Sequence, residues 1–556
     1  MTGWRDWLDR RTGYRQLARH LLDEPIPGGA RWAYVFGSGL LSLFLLQAAT
    51  GLVLAFCYSP STREAWGSVY HVTHELRLGW FVRGLHHWGA SAMLLVLLAH
   101  LLQVVLFGAY RAPRELGWWT GLFLLFVVLG FAFTGYLLPW DQHGYWAARE
   151  VSGVAATLPG PGRWLAPLLE TGDEVGNRTL LRAFGVHVFV LPILLGLVAV
   201  AHVALFRRNG VTPSPATTRE ARSVREPFWP RQAAYDLAFA ALLIAAVAAF
   251  TWWRHGAPLE APGDGVVTDY PARPAWYFRW LFELRRSLPA AHEAIGVVVV
   301  TSAGTALLAL LPVLDRAPSA ALRARWRSIG MVLALVGGVA TLTARSLLRD
   351  AADPDHQRAR AAARRAAARA FVLAADGIPP GGASELYLND PRERGHRLFD
   401  AHCAVCHTLD GSGGEAPDLG GYLSRAWVRG VVADPTTPAY FGGTDVTGME
   451  PTDATPAELD LLADYVLSLG GATPAPAGGA DLFEEKGCAT CHARAGEEPL
   501  SGPSLGGYGS PAWIAGVVRT PDAPTYYGES SRMPGFDRKL TNEELDDLIE
   551  FLVARK

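Results

Sequence analysis

Apolar residues dominate the first two thirds of the chain and form seven stretches, each long enough to cross the hydrocarbon core of a bilayer as a helix. The stretches are residues 34–57, 89–108, 117–139, 183–205, 234–253, 293–314 and 329–348. Beyond residue 350 these long runs stop, and shorter helical patterns alternate with loops rich in glycine and proline. The pattern predicts an all-α protein: a transmembrane helical bundle of about seven spans, followed by two small α-helical domains.

The basic residues between the stretches predict the orientation of the bundle. With the N-terminus inside, the inner segments 1–33, 109–116, 206–232 and 314–328 hold 18 arginines, and the outer loops 58–80, 140–180 and 254–287 hold 10. Seven spans then place the polar tail on the outer side. Residues 1–33 are predicted to be an amphipathic segment along the inner surface.

Two of the apolar stretches carry paired histidines: His86 and His100 are 14 residues apart, and His187 and His202 are 15 apart. These spacings are close to four helical turns, so each pair lies on one face of its helix, roughly 21–23 Å apart along the axis. Two such helices side by side form two stacked bis-histidine sites, which predicts two haems b in a four-helix core. The ordinary alternative is histidines that cap helices or bind water.

Topology and small residues refine these sites. The predicted helix directions put His86 and His187 at an outer haem, and His100 and His202 at an inner one. Glycines that admit a flat group close to a helix repeat at the same 14-residue period. They are Gly37, Gly51, Gly121 and Gly135. Arg83 and Arg182 precede the outer histidines and are candidates to neutralise haem propionates, or simple interfacial anchors.

The tail contains two C-x-x-C-H motifs, which are attachment sites of c-type haem. Cysteines 403, 406, 488 and 491 would form the thioethers, and His407 and His492 would bind iron. Each copy then offers one methionine, Met449 or Met533, which lies 42 residues after His407 or 41 after His492. Because the chain has only five methionines, the matched positions predict His/Met ligation within each copy.

Composition and repeats divide the chain into seven segments. They are 1–33, the surface segment; 34–215, the haem-binding bundle; 216–350, a three-span domain; 351–387, an Arg/Ala-rich connector; 388–471 and 481–556, the two c-type domains; and 472–480, their linker. Residues 381–556 hold 27 acidic and 13 basic residues. This acidic tail favours docking to a basic partner such as a soluble cytochrome c, and it gives no reason to expect a nucleic-acid partner.

The motif LPWDQHGYWA, the histidine spacings and the glycine pairs resemble cytochrome b of the cytochrome bc and bf (Rieske–cytochrome b) complexes, in its bf form. Residues 225–348 are similar to subunit four of the bf type, and the tail resembles the dihaem cytochrome c of bacterial menaquinol–cytochrome c reductase fusions. The resemblance implies a quinol-oxidising outer site and a quinone-reducing inner site in a bacterial inner membrane, with the tail on the periplasmic side. It also implies a homodimeric complex with a separate Rieske iron–sulfur protein.

The resemblance assigns residues to the two quinone sites. Arg207 and Asp236 match positions near the inner quinone, although either could be an ordinary loop charge. Relatives carry Pro-Glu-Trp-Tyr at the outer site, where the glutamate takes a quinol proton. Here the stretch is Pro274, Ala275, Trp276 and Tyr277, and alanine cannot accept a proton. Three replacements are conceivable: Asp269, Glu283 and, slightly favoured, His143, whose alternative is an exposed interfacial histidine.

Three functions follow. The first is a quinol–cytochrome c reductase subunit that sends one electron through the Rieske protein and the c haems to a periplasmic acceptor. The other electron crosses the membrane through the b haems, coupled to proton translocation. The second is a quinol-to-periplasm conduit that has lost the splitting of electrons, because of Ala275. The third is an electron-transfer scaffold without its own quinol catalysis.

Overall fold

The computed structural model describes residues 3–156, 175–218, 220, 223–263, 270–289 and 293–554. It divides into two compact units, Met1–Ser384 and Glu385–Lys556. Both units are helical, as the periodicity predicts, and the two strands that the structure describes are three residues long.

The first unit contains helices α1 Trp4–Thr12, α2 Tyr14–Leu22, α3 Phe36–Cys57, α4 Ala65–Tyr70, α5 Gly79–Phe107, α6 Glu115–Leu137, α7 Gln142–Ala156, α8 Asn177–Gly185, α9 Leu191–Asn209, α10 Arg231–Trp253, α11 Arg279–Arg286, α12 Glu293–Ala309, α13 Leu311–Leu314, α14 Trp326–Ala352 and α15 Pro354–Ala375, with strands β1 Pro25–Pro27 and β2 Arg225–Pro227. The second unit contains α16 Pro391–His402, α17 Arg425–Ala433, α18 Pro456–Ser468, α19 Gly479–Glu485, α20 Pro511–Arg519 and α21 Asn542–Val553. The strands β1 and β2 pair antiparallel.

Six helical segments in the described part of the chain are long and apolar enough to cross a membrane. They are Phe36–Cys57, Gly79–Phe107, Glu115–Leu137, Asn177–Asn209, Arg231–Trp253 and Leu322–Ala352. The predicted span at 293–314 is instead two consecutive helices, α12 and α13, and α12 is shorter than the other spans. Pro312 explains the break, because it has no N–H to donate to the preceding turn and its ring crowds that turn's carbonyl.

The fourth span contains one wide turn at its histidine. Residues Val186–Val190 are π-helical, and Leu191 donates its backbone N–H to the carbonyl of Val186, five residues back. Pro192 follows directly and has no N–H to give. A π-turn holds one more residue than an α-turn without changing the rest of the helix. The 15-residue spacing of His187 and His202 is therefore equivalent to the 14-residue spacing of the other pair.

The core of the first unit lies among the spans. Helix α3 packs along α5, and α9 packs along α6, while α10 covers α3 and α5. Leu43, Met93, Val128, Leu195 and Val247 are buried where these helices meet. Helix α11 packs on α14, at the end of the chain's last span. This arrangement brings the two histidine-bearing helices into one bundle with their glycine-bearing neighbours.

The second unit holds both c-type copies, copy one (388–471) and copy two (481–556). The two copies do not pack as separate bundles that follow one another along the chain. Helix α16, the first of copy one, packs along α21, the last of copy two, and α19, the first of copy two, packs along α18, the last of copy one. The predicted domain bounds 388–471 and 481–556 follow the order of the sequence and do not anticipate this exchange of helices. The physical reason is the repeat itself: helices of similar sequence can pack equally well in either copy.

Candidate haem and quinone sites

His86 on α5 and His187 in the π-turn face each other inside the bundle. Their ring centroids are 6.2 Å apart, with 71° between the ring planes. A metal atom bound by an imidazole nitrogen lies about 2 Å from it. The gap therefore has room for one iron between the two rings, and these side chains fit a bis-histidine haem.

Each of the four glycines stands opposite one of the four histidines. A Cβ at the glycine would come close to the histidine Cε1 atom, so a larger residue would press on the ring. These distances are 3.0 Å for Gly51 and His86, 2.6 Å for Gly135 and His187, 3.2 Å for Gly121 and His202, and 3.9 Å for Gly37 and His100. The shared 14-residue period of glycines and histidines thus has a direct geometric basis.

Three of these glycines are each preceded by a threonine. Each threonine hydroxyl contacts the Nδ1 atom of the histidine that faces it. Thr50 lies 3.0 Å from His86, Thr134 3.0 Å from His187 and Thr120 2.9 Å from His202. Each hydroxyl also donates its single proton to a carbonyl one turn back, for example Thr50 to Leu46 at 2.7 Å. The histidine Nδ1 must then be the donor, which leaves the Nε2 lone pair free for iron.

The inner site lacks one of these hydrogen bonds. Phe36 precedes Gly37, where the other three glycines follow a threonine. The Nδ1 atom of His100 is buried and neither donates nor accepts a hydrogen bond. Sequence analysis missed this asymmetry, although the residue before each glycine could have revealed it.

The two C-x-x-C-H histidines of the second unit are oriented in the same way. Nδ1 of His407 lies 2.8 Å from the carbonyl of Pro417, and Nδ1 of His492 lies 2.9 Å from that of Pro503. Both bonds make Nδ1 the donor and leave Nε2 free for iron. None of the four motif cysteines is in a disulfide, so each of them can form a thioether.

The candidate propionate arginines differ from each other. Arg83 is buried, and its guanidinium donates to the carbonyls of Ala257 at 2.9 Å and Pro258 at 2.6 Å. It therefore holds the loop after α10 against α5, which is a structural role that the sequence did not predict. Arg182 lies exposed on α8, one turn before the π-turn.

The predicted outer quinol site lies against the spans. The Tyr277 hydroxyl is 3.5 Å from the carbonyl of Ala132 on α6, and Trp276 donates its indole N–H to Ser91 on α5 at 3.3 Å. Pro274 and Ala275 therefore directly precede two aromatic residues that contact α5 and α6. The stretch Pro274–Tyr277 contains no carboxylate of its own.

The three candidate replacements for that carboxylate have different surroundings. His143, in the first turn of α7, packs against Tyr136 with ring centroids 5.2 Å apart. Glu283 is buried and paired with Arg345 at 2.8 Å and Arg349 at 3.1 Å. Two guanidinium partners hold this carboxylate as a structural ion pair between α11 and α14, which argues against a role as proton acceptor. Asp269 lies outside the described residues.

Glu260 is a fourth candidate proton acceptor near the outer site, and sequence analysis missed it. Its N–H donates to Asp141 at 3.1 Å, its carbonyl accepts from the Trp66 indole at 2.7 Å, and its carboxylate accepts from the Tyr270 hydroxyl. Burial raises the pKa of Glu260, and the nearby Asp141 charge raises it further, while His143 acts in the opposite direction. The only sequence signal was a carboxylate in an otherwise apolar loop, APLEAPG.

The inner candidates have local partners. Arg207, at the end of α9, pairs with Glu24 at 2.8 Å. Asp236 on α10 accepts from Gln232 at 2.8 Å and has Ser38, next to Gly37, as its second polar neighbour. Ser38 thus places Asp236 beside the glycine that stands opposite His100, and Arg207 ties the N-terminal segment to α9.

Comparison with known proteins matches most of the chain to three family models. The model described as cytochrome b/b6/petB matches residues 21–210, that described as cytochrome b(C-terminal)/b6/petD matches 262–351, and that described as cytochrome c matches 392–470 and 476–556. Cytochrome b6 of Synechococcus elongatus and of Mastigocladus laminosus are each 38% identical over 207 residues, which is 37% of this chain and 96% of the relative.

A solved structure is also similar. A chain of a hyperthermophilic respiratory complex III is 28% identical, with a TM-score of 0.53, and the match covers 66% of this chain and 97% of that one. Bundle, histidine geometry and motifs together define a membrane-bound electron-transfer protein of the cytochrome class. The chain belongs to the cytochrome b/b6 family, as a b6-type cytochrome b with its petD-like part fused to cytochrome c. Electron transfer in a bc-type complex, with haem b and haem c, follows from this membership.

Proposed function

We propose that the chain is the cytochrome b and c subunit of a quinol:cytochrome c oxidoreductase of a bacterial inner membrane. It works with a separate Rieske protein, in a homodimeric complex that translocates protons, and its c domains face the periplasm. The observation that carries the proposal is the paired arrangement of four histidines, each opposite a glycine, in a chain that also carries two C-x-x-C-H motifs.

The proposal assigns two haems b and two haems c to each chain. When bound, these groups supply one-electron redox chemistry across the membrane and toward the periplasmic acceptor. The protein's own residues hold and orient them: the histidines offer Nε2, the threonines and proline carbonyls fix the ring orientation, and the glycines leave room for the ring system. Arg207 and Asp236 stay candidates for the inner quinone site.

At the outer site, we propose Glu260 as the group that takes the quinol proton in place of Ala275. The quinol hydroxyl breaks its O–H bond and the proton moves to the Glu260 carboxylate, while the electron passes to the Rieske protein. A carboxylate whose pKa burial has raised is better suited to this step, because an acceptor works best with a pKa near the working pH. His143 lies within electrostatic reach of Glu260 and would receive or relay the proton next.

Ala275 favours one alternative, the conduit that oxidises quinol without splitting its electrons. The test is the purified complex, assayed for inhibitor-sensitive quinol:cytochrome c reduction with and without the Rieske protein. Activity that requires the Rieske protein supports the proposal, and activity without it supports the conduit. A complex that turns over no quinol with any acceptor would leave the scaffold. A redox-titrated spectrum gives the haem count, and a b:c ratio other than one contradicts the ligand assignment.

A further inference from the structure

The exchange of helices in the second unit has a consequence for haem binding, provided that the c-type attachment proposed above is correct. In copy one, α16 leads directly into Cys403 and His407, and in copy two α19 leads into Cys488 and His492. The helix that packs on each of these leading helices comes from the other copy. The motif at Cys403 therefore belongs to a helical body completed by α21 of copy two. The motif at Cys488 belongs to a second body that contains α18 of copy one.

The contact of α16 with α21 is intimate. A Cβ at Gly395 would lie 2.1 Å from the carbonyl oxygen of Asp547, so only glycine permits this crossing. His396 stacks on Phe551 with ring centroids 4.8 Å apart, and Arg394 donates twice to buried Asp547, at 2.6 and 2.9 Å. Shape, apolar contact and charge thus all join the first helix of copy one to the last helix of copy two.

The reciprocal contact repeats the design. A Cβ at Gly479 of α19 would lie 2.9 Å from the Cβ of Tyr465 on α18. Tyr465 also packs against Phe483, with ring centroids 5.4 Å apart. Lys486, just after α19, pairs with Glu458 of α18 at 3.4 Å. A glycine at the crossing and an aromatic ring on the receiving helix occur in both contacts.

The apolar clusters divide in the same way. One cluster joins Cys403 and Leu419 of copy one to Trp513, Phe536 and Met533 of copy two. The other joins Cys488 and Leu505 of copy two to residues of copy one, among them Trp427 and Leu462. Met533 therefore belongs to the cluster of Cys403, and not to that of Cys488 in its own copy.

The chain crosses between the bodies at the matched LGGY turns. Tyr422 and Tyr508, the tyrosines of those turns, contact both clusters. A Cβ at Gly470 would lie 2.5 Å from the carbonyl oxygen of Tyr508, so the end of copy one runs directly beside the second turn. An ion pair of Arg532 with Asp445 joins the two methionine-bearing loops, which therefore lie side by side.

From this packing we infer that the two c haems have crossed axial ligands. The haem attached at Cys403 and Cys406 takes His407 and Met533, and the haem attached at Cys488 and Cys491 takes His492 and Met449. This replaces the within-copy pairs, His407 with Met449 and His492 with Met533, that the sequence predicts. Met449 follows from continuity, since it lies just before α18, the helix that receives α19.

The experiment removes one c haem at a time from the full-length complex and asks which methionine the other haem needs. In the C403A/C406A background, only the haem at Cys488 and Cys491 remains. Crossed ligation predicts that M449A abolishes the methionine–iron charge-transfer band of that haem and M533A leaves it. In the C488A/C491A background the two results exchange. The opposite pattern would overturn the inference, and M331L in a membrane span is the matched control.

A second measurement does not depend on haem-deficient variants. A protease site placed in the linker 472–480 of the otherwise native chain allows the two copies to be cut apart in the membrane. Exchanged helices keep the C-terminal fragment bound to the membrane after cleavage, because α19 and α21 both pack on copy one. Release of that fragment under native conditions would contradict the exchange, and crossed ligation with it.

Discussion

The Thr134 hydroxyl lies 3.0 Å from Nδ1 of His187 while it donates to the carbonyl of Gly130 at 2.8 Å. The hydroxyl fixes which ring nitrogen of His187 carries the proton. T134V should therefore lower the occupancy of the outer haem b, because loss of such a partner costs about 10–100-fold in metal affinity. Haem b per protein, measured by redox-difference spectroscopy, checks this. T343V, which removes a hydroxyl on α14 that donates only within its own helix, is the control.

The glycines give a graded prediction. G135A places a methyl group 2.6 Å from Cε1 of His187, closer than packed atoms can lie, whereas G37A places one 3.9 Å from His100, an ordinary contact. G135A should therefore remove the outer haem, about half of the haem b absorbance, while G37A keeps both. Equal haem b content in the two variants would show that these glycines do not make room for the haem.

Glu260 should determine how the rate of quinol oxidation falls at low pH. Its pKa is raised by burial, so the accepting, ionised form is lost as the pH falls through a value above the ordinary range for glutamate. The wild-type rate should fall on acidification over that range, and Asp141, His143, Tyr270 and Arg360 are the neighbouring groups that shift it. E260Q should slow quinol oxidation by roughly 100-fold or more and remove this pH dependence.

The control for E260Q is E75Q, which changes an exposed carboxylate paired with His71. An E260Q enzyme with a wild-type rate and pH profile would exclude Glu260 as acceptor.

His143 is tested separately. H143A should slow quinol oxidation at least about tenfold if the imidazole accepts or relays the proton. The measurement is steady-state quinol oxidation at saturating acceptor, in a complex whose haem spectrum is unchanged. An unchanged rate would make His143 an interfacial residue that packs on Tyr136, and Glu260 would remain the proposed acceptor.

Phe551 of copy two packs on residues of copy one, so its substitution tests the helix exchange. F551A removes a ring that packs on His396 and on Phe399, so it should destabilise the c-type unit by about 3–5 kcal/mol. The loss should appear first in the haem attached at Cys403, although Phe551 belongs to the second copy. Thermal melts followed at the c-haem band, in each single-haem background, would show which haem responds; a response confined to the haem at Cys488 would contradict the exchange.

The sequence predicted much of the bundle, because its signals are local and repeated. The histidine pairs, the glycine period and the C-x-x-C-H motifs each depend on spacing along one helix or loop, and the ring centroids of His86 and His187 lie 6.2 Å apart in the structure. The 15-residue spacing could be noticed but not explained, since a π-turn is visible only in the hydrogen bond from Leu191 to Val186.

What the sequence could not give depends on contacts between distant segments. Glu260 becomes a candidate only because the loop after α10 returns to Asp141, and Glu283 ceases to be one only because Arg345 and Arg349 reach it from α14. The exchanged helices were out of reach for a different reason. Because the two copies have similar sequences, the same hydrophobic pattern fits packing within a copy and packing between copies. The pattern therefore does not indicate which helix is the partner.

The exchange also sets an order of assembly. Residues 424–507 form one body that is continuous along the chain, whereas the body around Cys403 needs residues from both ends of the tail. During synthesis from the N-terminal end, residues 424–507 can fold before the residues that follow them have been made. The first attachment motif to be synthesised must wait for α21, the last helix of copy two, before its pocket is complete.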